Sequence, residues 1–310
     1  MPDESGTWTI GRLLEWTQKF FEKKGIPQAR LEAEILLAQA LGLERIGLYL
    51  AYGREVEEEP RTRFRDHVRR RAEREPTRYI IGTCEFMGLA LKVAPGCLIP
   101  RPETELLVEE VMERTGRKRG LAPPTRNAAV GEGGARISAI DLCTGCGCVA
   151  VSLAVHVPEA WLVATDVSPT ALAVARANAE AHGVADRVTF LEGDLYDALD
   201  AAGAKPADFL LANPPYVAEA EWETLEPEIR DHEPREALVA GPEGTEIIER
   251  ILKGAPAYLA PGGTLLVEIG AGQGAAAMEK ASAVRGLEGM EVRKDYAGHD
   301  RMLTARRASG

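Results

Sequence analysis

Apolar residues recur at helical spacing through roughly the first 75 residues. Ile10, Leu13, Leu14, Thr17, Phe20 and Phe21 fall on one helical face, and Gly25 followed by Pro27 predicts a stop and a restart. Leu31, Ile35, Ala38 and Leu41 carry the same spacing up to Gly42. A further helix is expected over Arg61–Arg74, strongly basic and preceded by the acidic run Glu55–Glu59. Its arginines read as a solvated face beside their own counter-charges, with a docking surface for an acidic or RNA-associated partner as the other reading. The pattern then changes: Y-I-I-G-T-C-E-F-M-G-L-A-L-K-V (Tyr79–Val93) alternates around a glycine break and predicts a β-hairpin. Leu98–Glu105, L-I-P-R-P-E-T-E, is too rich in proline to extend a strand and leads into an apolar helix at Leu106. Between Gly116 and Arg136 the composition shifts to Arg, Pro, Gly and Ala, which predicts an exposed loop.

From Ile137 onward, short apolar runs alternate with helical stretches. The runs are Ile137–Leu142, Trp161–Thr165, Val188–Leu191, Phe209–Ala212 and Thr264–Ile269. Among the helices, Pro169–His182 has Ser168 placed to cap it and proline at its first position. Continuous apolar strands separated by helices predict an α/β fold with a doubly wound, mostly parallel sheet. The expected organisation is a helical domain over residues 1–77, a hairpin linker over 78–100 and the α/β domain over 101–310. Sheets of this kind bind ligands beyond the carboxyl ends of their strands.

The chemistry gathers at those ends. Asp141-Leu-Cys-Thr-Gly-Cys-Gly147 follows the first strand, and its glycines permit a tight turn with close backbone approach to a ligand. Gly145, Gly147 and Ala150 also satisfy G-x-G-x-x-A, with Asp166 where a ribose-binding acid belongs, so a nicotinamide or flavin enzyme stays open on this loop alone. Asp141, however, would be an unhelpful charge beside a pyrophosphate, and a third acid, Asp194, ends the third strand. Three acids at successive strand ends suit the cationic cofactor S-adenosylmethionine: one for its charged end, one for ribose hydroxyls, one for the adenine amine. The fourth strand runs into Asn213-Pro-Pro-Tyr216. The Asn213 side-chain oxygen and the Pro214 carbonyl can accept both N–H groups of a planar NH2, and Pro214 and Pro215 stiffen the turn. Tyr216 can align that flat group during transfer of a methyl to it.

The bulk numbers narrow the setting. The chain has 310 residues, 45% hydrophobic and 27% charged, with a formal charge of −11. That charge argues against a general phosphate-backbone binder. No apolar run reaches membrane-span length, and Met1–Gly6 is unlike a signal peptide. Five cysteines make a disulfide framework unexpected. Cys143, Cys146 and Cys148 lie on one turn without a nearby histidine, so no metal is expected and the cysteines read as small turn residues. A monomer in the cytoplasm is the expected state.

Taken together, the motifs resemble those of the release-factor glutamine methyltransferases, the HemK/PrmC family. The matching stretches are Tyr79–Leu89, Leu98–Glu105, Asp141–Gly147, Asp166–Leu172, Asn213–Tyr216, His232–Leu238, Val267–Gln273 and Lys294–Arg301. The resemblance implies a Rossmann-like, seven-stranded class I methyltransferase fold behind a small helical substrate-recognition domain. It implies transfer of a methyl group from S-adenosyl-L-methionine to a glutamine N5 in the Gly-Gly-Gln loop of peptide-chain release factors, with no direct nucleic-acid contact. Residue by residue, the cofactor loop maps onto Cys143, Thr144, Gly145, Cys146 and Gly147, beside Asp141. The ribose acid maps onto Asp166, the adenine contacts onto Asp194 and Leu195, and the substrate motif onto Asn213, Pro214, Pro215 and Tyr216. Arg101 and Glu103 are expected to line the substrate groove. Cys143 and Cys146 depart from the Gly and Ser or Thr that relatives carry there. A ribosomal-protein glutamine methyltransferase and a nucleic-acid adenine methyltransferase remain alternatives, since both can use the same Asn-Pro-Pro-Tyr chemistry.

Overall fold

The structure is a computed structural model and describes residues 7–117 and 136–309. Apart from its ends, the loop expected between Gly116 and Arg136 lies outside the described residues, as does Met1–Gly6. The chain divides into two compact units, one of residues 1–82 with 226–232 and one of residues 83–225 with 233–310.

The first unit contains α1 (Ile10–Lys23), α2 (Ala29–Leu41), α3 (Arg45–Leu50), α4 (Glu58–Ala72) and α5 (Thr77–Ile81). Thr9 caps α1 by accepting from the Arg12 N–H, and Gly42, at φ +64°, ends α2 in the left-handed conformation. The helical spacing puts Ile10, Leu13, Leu14 and Phe21 into one core with Leu36, Leu37 and Phe64, all fully buried. The arginines of the basic helix are largely consumed inside this unit. Arg63 pairs with Glu59, Arg69 with Asp66, and Arg70 with Glu75. Arg71, buried, meets Glu32 at 2.9 Å and Glu228 at 3.0 Å. Tyr79, Ile80 and Ile81 finish α5, so the hairpin begins later than the alternation predicts. Three apolar residues in a row satisfy a short buried helix as well as a strand, and Gly82 at φ +76° closes the helix.

In the second unit, β1 (Thr83–Phe86) and β2 (Leu89–Lys92) form that hairpin, with Phe86 paired to Leu89. Met87 and Gly88 both take positive φ, the two-residue turn whose twist matches a tight hairpin. After the one-turn 3-10 helix Pro102–Thr104 come α6 (Glu105–Arg114), β3 (Ile137–Leu142), α7 (Cys148–His156), β4 (Ala160–Asp166), α8 (Pro169–Ala181) and β5 (Val188–Glu192). Next are α9 (Asp197–Ala202), β6 (Ala207–Ala212), β7 (Val217–Ala218), α10 (Pro227–Arg230, belonging to the first unit) and β8 (Val239–Gly241). The chain ends with α11 (Glu246–Tyr258), β9 (Leu259–Glu268), α12 (Gly274–Ser282), β10 (Leu287–Lys294) and β11 (Asp300–Arg307).

Seven strands form one sheet in the order β10-β11-β9-β6-β3-β4-β5. All neighbours are parallel except those of β11, which runs antiparallel between β9 and β10. Alternation along the strands feeds two cores on opposite faces. Ala139, Phe209, Leu211 and Leu266 join one, under α6, α7 and α8. Ile140, Leu142, Leu210 and Leu265 join the other, under α9, α11 and α12. Burial on both faces is why these strands read as unbroken apolar runs. The order reverses direction at β3, which has β4 on one side and β6 on the other. A crevice must open there, because the connections leave in opposite directions.

Candidate active site

Register brings the motifs to that crevice. Leu142 pairs with Ala212 on β6 and with Thr165 on β4. The residues that follow, Cys143, Asn213 and Asp166, therefore emerge side by side from three adjacent strands. Asp166 in turn pairs with Glu192, two residues before Asp194. A cavity of about 270 Å³ sits at these ends. Asp141, Cys143, Thr144, Gly145 and Cys146 line it, together with Asp166, Asp194, Leu195, Asn213 and Pro215. Gly147, Pro214, Tyr216, Arg101 and Glu103 are outside that lining.

Each lining acid has a defined setting. Asp141 is 1% exposed and accepts from the Thr144 hydroxyl at 2.6 Å. Burial pushes its carboxyl up to about 7, and the neighbouring Asp166 adds to the rise. Asp166 accepts the Gly145 N–H at 2.8 Å and the Ser168 N–H at 2.9 Å, so the acid also shapes the glycine turn. Burial raises it, and those backbone donors work against the rise. Asp194 is half-exposed and receives Arg250 at 2.7 Å. A fourth acid, Glu236, also lines the cavity. No Lys, Arg or His lines it among the described residues.

The loop itself is strained at one place. Cys143 adopts φ +58°, a conformation that costs an L-residue roughly 1 kcal/mol or more. Gly145 and Gly147 take positive φ as well, and a Cβ on Gly147 would meet the Ala175 Cβ at 3.0 Å. Gly147 thus serves close packing of α7 on α8. Three thiols are held protonated: burial raises Cys143, and Cys97 goes to about 12. Cys148 is raised chiefly by its contact with Cys146. Among the described residues, no group of His, Cys, Asp and Glu is arranged to hold a metal ion.

Several residues that hold this site were not singled out from the sequence. Asn178, fully buried on α8, donates to the Cys146 carbonyl at 2.9 Å and the Lys92 carbonyl at 3.0 Å, and accepts the Lys92 N–H at 2.7 Å. It ties the hairpin to the glycine turn. A polar residue inside the apolar stripe Ala171, Leu172, Ala175, Ala179 was its available signal. Gln273 donates to the Tyr216 carbonyl at 2.8 Å and holds the Asn-Pro-Pro-Tyr loop from behind. Arg101 pairs with buried Glu233 at 2.6 Å, and Glu103 is exposed in the one-turn helix. Asn213 donates through Nδ2 to the Thr104 hydroxyl at 3.0 Å. The Tyr216 hydroxyl donates to Glu268 at 3.3 Å, and its ring packs against the core under α11 and α12.

Comparison with known proteins agrees with this architecture. Residues 12–82 match the PrmC N-terminal domain and residues 132–229 the methyltransferase small domain. The hMettl16 catalytic domain shares the fold of the sheet, with a TM-score of 0.53 at 14% identity, over 81% of this chain and 82% of that one. The release factor glutamine methyltransferase of Geobacter sulfurreducens is 44% identical over 88% of this chain and 88% of its own. That of Rhodopirellula baltica is 40% identical over 97% of each. With such likeness along nearly its whole length, the chain belongs to the release factor glutamine methyltransferases and is an enzyme of that methyltransferase family.

Proposed function

We propose that this enzyme transfers a methyl group from S-adenosylmethionine to the glutamine side-chain nitrogen, N5, in the Gly-Gly-Gln loop of a peptide-chain release factor. The observation that carries this reading is the convergence of Asn213 with a cavity lined by four acids and, among the described residues, no cationic side chain. A dinucleotide pyrophosphate would meet only like charge there, whereas a sulfonium carrying an ammonium group meets counter-charge. The residues fit such a group. Asp141 suits the ammonium, Asp166 the ribose hydroxyls, and Asp194 with Leu195 the base, while the Cys143–Gly147 turn allows close backbone approach.

Bound S-adenosylmethionine supplies an electrophilic methyl group. The chain's own residues address the weakness of the nucleophile, an amide nitrogen whose lone pair is delocalised. Asn213 Oδ1 and the Pro214 carbonyl accept its two N–H groups and stabilise the positive charge that grows on nitrogen. Pro214 and Pro215 fix the turn, and Tyr216, tied to Glu268, keeps the loop aimed at the cavity. No strong general base is needed, because the amide proton becomes acidic once the methyl is added. Positioning supplies most of the rate. Arg101 and Glu103 border the path of the substrate chain, and residues 1–77 act as the recognition domain. The enzyme works as a cytoplasmic monomer that does not itself contact nucleic acid; no described helix is long and apolar enough to cross a membrane.

The test is to incubate the full chain with S-adenosylmethionine and, separately, a release factor, a large-subunit ribosomal protein and duplex DNA. Mass spectrometry should find a single added methyl on the Gly-Gly-Gln glutamine. Transfer only to the ribosomal protein or to DNA would overturn the assignment.

A further inference from the structure

The Asn213 amide is useful to a substrate NH2 only in one orientation, with its oxygen turned to the substrate and its own NH2 turned away. In the reverse orientation, two NH2 groups would face each other. Something must select between these states, since amide oxygen and nitrogen differ little in size.

The selecting group lies in the protein interior. Asn213 Nδ2 donates to Thr104 Oγ1 at 3.0 Å, and Thr104 is 1% exposed. A threonine hydroxyl has one proton, so an oxygen that accepts from Asn213 must send that proton elsewhere. The available acceptor is Glu268, the last residue of β9 and also 1% exposed. Its carboxyl is acted on by two hydroxyls, Thr104 and Tyr216. Tyr216 donates to Oε1, and Oε2 is buried with no hydrogen-bond partner among the described residues. A buried carboxylate oxygen without a donor is costly, and the Thr104 hydroxyl would remove that cost by turning toward it. Arg301 on β11 favours the charged carboxyl, while Glu103 opposes it.

We propose that Thr104 and Glu268 are positioning residues for methyl transfer: the Thr104 hydroxyl donates toward Glu268, so its oxygen accepts from Asn213 and commits Asn213 to present its own oxygen to the substrate amide. The inference rests on the reading of Asn213 given above. It assigns a purpose to the threonine of I-P-R-P-E-T-E and the glutamate of V-E-I-G. Thr104, Asn213 and Glu268 come from the 3-10 helix, the end of β6 and the end of β9, and Thr104 is outside the cofactor cavity lining.

The test compares Thr104→Val, Thr104→Ala and Thr104→Ser in the full chain, using a release factor substrate and calorimetric titration with S-adenosylmethionine. Val and Ala remove the hydroxyl with different bulk, so a folding failure specific to one leaves the other readable. Both should lower kcat roughly tenfold or more, with substrate KM and cofactor affinity within about threefold of the parent. Ser, which keeps the hydroxyl, should restore kcat to within about threefold. Equal loss in Ser, or parental kcat in Val, would overturn the proposal. Asn213→Ala separates it from the reading beneath it. A dead Asn213 variant beside an active Thr104→Val sinks only the relay, and an active Asn213 variant sinks the reading itself.

Discussion

Glu34 in the helical unit and Asp141 in the sheet unit are buried alike, at 2% and 1% exposure, yet their carboxyls shift in opposite directions. Burial would raise Glu34, but the Tyr49 hydroxyl, Arg45 at 2.7 Å and Arg30 at 2.7 Å outweigh it and hold the group below the usual carboxylate range. Among the described residues, Asp141 accepts from the Thr144 hydroxyl and the backbone and has Asp166 nearby, and burial pushes it to about 7. One acid has its cations built in, while the other is left waiting for one. On the function proposed above, the missing partner is what the cationic cofactor would supply, whereas the satisfied acid is a structural tie. Glu268, buried and raised to about 7, stands with Asp141 on the functional side.

Substitutions can break or sharpen this contrast. The largest effect is expected from Asn213→Ala, which should lower kcat by roughly 10²–10³ while calorimetric cofactor affinity stays within a few-fold. Near-parental turnover would remove the asymmetry between the two units at its root. Next, Glu34→Gln should destabilise the protein by about 1 kcal/mol in urea unfolding, because Arg30 and Arg45 lose their counter-charge but both reach solvent. Its folded pKa is depressed, so the stabilisation it provides is present above its ordinary pKa and fades as the pH falls through the folded value.

Asp141→Asn should behave in the opposite way. The folded carboxyl holds its proton up to about pH 7, whereas the unfolded one releases it near 4, so stability falls as pH rises across that window. Asparagine removes this loss, and the unliganded variant should be at least about 1 kcal/mol more stable than the parent at pH 8. Its cofactor affinity should drop roughly 10- to 100-fold. Parental affinity should rise with pH up to about 7 as Asp141 ionises, and the variant's should stay flat over that range. Equal affinities at all pH values would take Asp141 out of the site. The smallest effect concerns the strained turn. Cys143→Gly should change stability by about 1 kcal/mol or less, whereas Cys143→Val, β-branched at φ +58°, should cost more than about 1 kcal/mol. A thermal shift series would order the three proteins, and a Val variant as stable as Gly would show that the turn carries no strain.

Much of the site was legible because chemistry at strand ends is local. The apolar runs announced parallel strands, and their ends at Asp141, Asp166 and Asn213 are where backbone register aligns them. Tyr79–Ile81 was ambiguous for an equally local reason, since three apolar residues in a row fit either period. The residues that support the site were harder to read. Thr104 and Asn213 are 109 positions apart, and Gln273 and Tyr216 are 57 apart. Nothing in their neighbours announces the pairing.

The sequence by itself determined where the five parallel strands of the sheet would form, which side chains would cluster at their ends, and that an amide with two prolines would close the fourth strand. Those properties follow from local spacing, and local spacing survives in one dimension. Only the tertiary structure decided that Glu34 would meet its arginines and Asp141 would not, and that Thr104 would grip Asn213. Hydrogen-bond polarity and the cost of a buried charge depend on what surrounds a group in three dimensions, and those surroundings exist only once the chain is folded.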